Sequence, residues 1–172
     1  MADYAQQDAG NLGKHPHAFA WVSMLAGPSF SAFLLMMLFN GSAMSQLLRE
    51  PNWFYFSVAF FQPALISLAL GACALPVSGF FLWRLLKNLP AFETFPGPFF
   101  VQNATMAGTI FGFLFSLMIN FGFELFSSKP DIASIRGEMF VSVVIGTILG
   151  AILSFVASHI FLALGRLAKW IN

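Results

Sequence analysis

Cysteine is almost missing from this 172-residue chain: Cys73 stands alone, which excludes an intrachain disulfide and any metal or redox centre built from several thiolates. Charge is nearly as scarce, at 9% of residues against roughly a quarter in soluble domains. The eight Lys and Arg form no block and the net charge is only +1, so the sequence carries no nucleic-acid footprint and no polybasic lipid patch. Catalytic patterns are missing too. There is no serine, histidine and acid grouping, no pair of carboxylates in mid-run and no glycine-rich phosphate loop. Thiol oxidoreductases of the bilayer need cysteine pairs, small multidrug antiporters a mid-membrane glutamate, and lipoprotein signal peptidases two intramembrane aspartates; none of these is present. The sequence reads as a non-enzyme.

What remains is oil: 58% of residues are hydrophobic and 17% aromatic, with 23 phenylalanines. Every charged residue except Glu124 lies outside four apolar runs, at about 19–39, 53–83, 101–126 and 139–164. A spanning helix needs about twenty such residues to cross a hydrocarbon core of roughly 30 Å, so each run is long enough. The sequence therefore predicts an all-α integral membrane protein: four transmembrane helices (19–170) in an antiparallel bundle of two hairpins, behind a polar tail (1–18). That tail lacks the cationic start and short apolar core of a secretory signal, and no cleavage is expected.

Proline marks the irregular places. Gly27-Pro28 is expected to kink the first helix or delay its straight part, and Pro63 and Pro76 to bend the second, which is too long to stand upright. A kinked single span is the preferred reading of that run over a re-entrant segment broken at Pro63. Gln62 beside it, and Asn103 with Thr105, are expected to satisfy freed carbonyls or to bond across helices. The three prolines and the phenylalanines of "RLLKNLPAFETFPGPFF" read as a loop lying on the membrane surface. Both termini share one face with Lys14, Arg84, Lys87, Arg166 and Lys169, against Arg49, Lys129 and Arg136 opposite. That balance favours cytoplasmic termini in an inner or plasma membrane.

The most ordered pattern is a thin seam. The third run carries Ala104, Gly108, Gly112, Ser116, Asn120 and Glu124 at every fourth place, and the fourth carries Ser142, Gly146, Gly150, Ser154 and Ser158. In lipid there is little hydrophobic gain when helices associate, so close contact must supply the energy, and GxxxG-type spacing lets backbones approach. Antiparallel spans would bring Gly108 and Gly112 towards Gly146 and Gly150. Four residues turn about 400°, so the seam drifts by about 40° per step and its ends must face something else. The first helix, with Ser23, Gly27 and Ser31, is one such neighbour.

Asn120, Glu124 and His159 are the candidate polar site. Glu124 sits near a span end, where pairing with Arg136 or Lys129 is the simplest expectation, and His159 has no facing histidine with which to hold a haem. Neither a metal nor a cofactor is expected, although the phenylalanine faces could take a bound lipid or pigment. The expected partners are membrane lipids and other integral membrane subunits or further copies of the chain. These features predict an accessory or scaffold subunit that acts by contact; the alternative is a small homo-oligomeric transporter or channel.

Overall fold

A computed structural model of the chain describes residues 14–92, 94–126 and 132–172, without the side chains of Phe39, 121–126 and 132–138. Its elements are α1 (Pro16–Phe39), α2 (Gly41–Arg49), α3 (Trp53–Phe56), a π turn (Ser57–Phe61), α4 (Gln62–Asn88), a 3₁₀ turn (Leu89–Ala91), α5 (Gly97–Phe126) and α6 (Ile132–Leu167). Four helical stretches are long and apolar enough to cross a membrane: Pro16–Leu38, Trp53–Ala91, Gly97–Asn120 and Met139–Leu167. Helices satisfy their own backbone groups, which is why an apolar chain in hydrocarbon adopts them. α5 lies along α6 and α1 along α4, while α1 also touches α6 and α4 touches α5.

The prolines disturb the helices less than the sequence suggests. Pro16 starts α1, where its missing N–H costs nothing, and Pro28 is carried inside the same helix without a break. The second run is continuous helix from Trp53 to Ala91, 39 residues or about 58 Å at about 1.5 Å each, well beyond a hydrocarbon core of roughly 30 Å. Its first turn suits the headgroup layer: Trp53 and Phe54 are exposed, and Asn52 Oδ1 accepts from the Tyr55 N–H at 2.9 Å.

Pro63 has no N–H to offer the Ala59 carbonyl, and its ring crowds that group. The helix widens just before it into the π turn, where the Gln62 N–H donates to the Ser57 carbonyl. Asn40, at the end of α1, donates from Nδ2 to the carbonyls of Val58 and Ala59 at 2.8 and 3.3 Å. Gln62, which the sequence suggested for this task, is exposed.

The buried apolar core gathers at the end of the bundle where the two described chain ends meet. Phe19, Ala20 and Met24 of α1 pack with Phe81, Leu82 and Leu85 of α4, and with Phe95, Phe100, Leu162 and Ile171. The Phe19 ring stands edge-on to Phe95 at 5.1 Å and tilts against Phe100 at 5.4 Å. So Phe95, read from sequence as part of a surface loop, turns inward. α6 ends in a reversed turn with Lys169 at φ 57°, its Trp170 N–H donating to the Gly165 carbonyl at 2.9 Å. That turn drives Ile171 into the core and lets the His15 N–H donate to the Trp170 carbonyl at 3.0 Å. Gly165 is required here, because a Cβ would strike the Phe19 ring.

Replacing Asn40 with leucine keeps the volume and removes the donor to the two carbonyls at the π turn. We expect the Asn40→Leu chain to lose about 1 kcal/mol of stability, read as earlier loss of helical circular dichroism on heating in detergent. An unchanged melting curve would show that these carbonyls do not need Asn40.

Candidate functional site: the α5–α6 seam and the adjoining cleft

The seam positions of α5 and α6 meet with almost no side chain between them. A Cβ on Gly112 would strike the Gly146 carbonyl and stand 3.3 Å from the Gly150 Cα, and one on Gly150 would strike the Gly108 carbonyl. At Gly108 the obstacles are Ser154 and the Gly150 carbonyl, and at Gly146 they are Ser116 Oγ and, at 3.1 Å, the Gly112 carbonyl. Each glycine thus touches the opposite backbone, the geometry in which dispersion and Cα–H to carbonyl contacts are strongest.

The drift of the seam accounts for its outer members. Ala104 turns away from the glycine contact to line a void of about 20 Å³ with Ser23, Gly27 and Ser31 of α1. At the other end Asn120 donates from Nδ2 to the Ser116 carbonyl at 2.5 Å and to Ser142 Oγ at 3.0 Å, a polar clasp between the two helices. The side chain of Glu124 lies outside those described, as do those of Arg136 and Glu138. His159 is exposed and far from Asn120 along the bundle; its Nδ1 donates to the Phe155 carbonyl at 2.8 Å. Asn120 and His159 are therefore not brought together. No group of three His, Cys, Asp or Glu side chains converges among the described residues.

A second small-residue contact escaped the sequence reading. α4 buries Ser67, Gly71, Ala74 and Ser78 along one stripe, and a Cβ on Gly71 would strike Ser29 of α1. The spacing is visible in the sequence, where Pro63 precedes it and Pro76 falls within it. Gly27, by contrast, sits in the void: nothing lies within 4 Å of where its Cβ would be.

Beside the seam, a cleft of about 700 Å³ opens between α1 and the α5–α6 pair. Ser31, Ala32 and Leu35 form one wall, and Phe111, Phe115, Ile145 and Leu149 stand among the side chains of the other. Among the described residues no charged side chain lines it. Ser31 is 8% exposed, and its Oγ is buried with no hydrogen-bond partner among the described residues. Such a space can hold a bulky apolar group, and it offers neither a nucleophile with its base nor an acid–base pair. No protein-family model, curated protein or solved structure matches this chain.

The two kinds of glycine make opposite predictions. Gly112→Leu and Gly150→Leu force the backbones apart and are expected to cost at least about 2 kcal/mol each. Gly27→Ala and Gly79→Ala meet open space, so each should melt at or slightly above wild type, by up to about 1 kcal/mol from helix propensity. Equal melting of all four variants would contradict the seam as the main inter-helix contact.

Proposed function

We propose that the chain is a non-catalytic, membrane-embedded accessory or scaffold subunit of a larger membrane complex. It is read as an antiparallel bundle of two hairpins, α1 with α4 and α5 with α6, in an inner or plasma membrane. Cytoplasmic termini suit the excess of Lys14, Arg84, Lys87, Arg166 and Lys169 on that side.

The observation that supports this reading best is the cleft of about 700 Å³ between α1 and the α5–α6 pair, lined by no charge among the described residues. In hydrocarbon an apolar gap of this size leaves its lining without contacts, and a partner's transmembrane segment presenting large aliphatic or aromatic side chains restores them. The glycine seam is consumed within the chain, so the cleft and not the seam is the surface offered to a neighbour.

The alternative, a homo-oligomeric transporter or channel lined by the polar seam, has less support. Asn120 spends its amide on the Ser116 carbonyl and on Ser142 Oγ, and no ionisable group among the described residues lines the cleft.

Leu35→Trp adds bulk to the cleft wall without touching either glycine contact. In mild detergent the wild-type chain is expected to co-purify with larger membrane subunits at fixed stoichiometry, and Leu35→Trp to lose at least about nine-tenths of that association while keeping its helical spectrum. Wild-type chain that runs alone as a uniform particle, or a variant that keeps its partners, would overturn the proposal.

A further inference from the structure

On the outer side of the α5–α6 pair, away from the cleft, lies a second groove of about 690 Å³. It runs between the first turns of α5 and the last turns of α6, at the end of the bundle that holds the aromatic core. Its polarity changes along its length. Arg166 stands at one end beside Gly97, where α5 begins; His159 and Gln102 follow; Met106 and Phe155 close the other end with apolar surface. From Arg166 to Phe155 is eleven residues of helix, about 16 Å at about 1.5 Å each.

Three features of this groove point to one chemistry. Among the described residues its only full charge is the Arg166 guanidinium and no carboxylate lines it, and the start of α5 adds the partial positive charge of a helix N-terminus. Thr105 stands midway along the groove's lining, between the guanidinium and the apolar end. The lower half is apolar and exposed, with Met106 40% and Phe155 50% accessible. A soluble anion would use the upper half and leave the lower half bare. A guanidinium at the end of a span, above an apolar channel, has the layout that a phospholipid phosphate and its acyl chain match.

We infer that this groove binds an anionic phospholipid, with the phosphate on Arg166, the ester region beside Thr105 and His159, and one acyl chain along Met106 and Phe155. The inference rests on the four helices being membrane spans and is independent of the proposed partner. The sequence shows no basic block because one arginine suffices once the fold sets it above an apolar groove.

The test uses the full chain in neutral detergent, titrated with phosphatidylglycerol or with phosphatidylcholine of the same acyl chains, and counts retained lipid by native mass spectrometry. Wild type is expected to retain phosphatidylglycerol about five-fold better, the effect of one well-placed basic side chain. Arg166→Gln should bring that ratio close to one. Lys87→Gln should leave it unchanged, because Lys87 stacks over Trp83 on α4 and does not line the groove. Inorganic phosphate at millimolar concentration should not displace the lipid. A wild-type ratio near one would overturn the inference whatever the variants do, as would equal losses in the two variants or displacement by phosphate alone.

Discussion

Two helix backbones that touch inside hydrocarbon are the constraint from which the rest of this structure follows. A methyl group at Gly108, Gly112, Gly146 or Gly150 has nowhere to go, because each position faces a carbonyl, a Cα or a serine of the opposite helix. Lipid tails are as apolar as leucine, so the only free energy left for holding α5 to α6 is that of close contact and of hydrogen bonds shielded from water. The Asn120 to Ser142 bond belongs to the same device: it can form only where the backbones are already near, and it ties the register of the two helices at the far end of the seam. With their small residues turned inward, both helices present bulk elsewhere, and Ile145, Ile148, Ile152 and Phe155 of α6 are exposed.

That rigid pair meets the other helices unequally along its length. At the end where α1 begins and α6 finishes, Phe19 seats over Gly165 and against Phe95 and Phe100, and the reversed turn at Lys169 adds Ile171 to the same core. Towards the opposite end the wall of α1 stands off, and the cleft opens from Pro28 to Leu35. α1 is anchored there from the other side, where Asn40 reaches the carbonyls that the π turn before Pro63 leaves free and Ser29 fits against Gly71. Proline thus contributes a docking point here, since a regular helix would have kept both carbonyls for itself.

Spacing made some of this legible in the sequence and proximity hid the rest. A four-residue repeat of glycine and serine on two spans joined by a short link leaves few other ways to pack, so the levels at which Gly108 and Gly112 face α6 could be read directly. The four long apolar helices were equally plain, because hydrocarbon offers no alternative to helix. Asn40 was invisible for a different reason: it lies outside every apolar run, and its role exists only because α1 ends beside the widened turn of another helix. Phe95 was misplaced by a rule that holds for loops in general, that they stay at the surface; a phenylalanine among prolines can still turn inward when the adjoining helices supply an aromatic socket. The stripe of Ser67, Gly71, Ala74 and Ser78 carried a signal like that of the seam, interrupted by Pro76, which in the fold leaves the helix continuous.

The closed and open ends also differ in what they can recognise. Apolar contact alone discriminates poorly, since a methylene more or less in a hydrophobic pocket changes affinity by only about 1–3 kcal/mol. The cleft, whose described lining carries no charge, selects an occupant mainly by shape. The outer groove adds the positive charge of Arg166, and a guanidinium set above an apolar channel favours an anionic headgroup over a zwitterionic one of equal size. One end of the molecule is therefore suited to fitting a bulky segment and the other to reading the charge of the surrounding lipid. Both depend on the same two helices staying together, because each surface is formed on α5 and α6 at once.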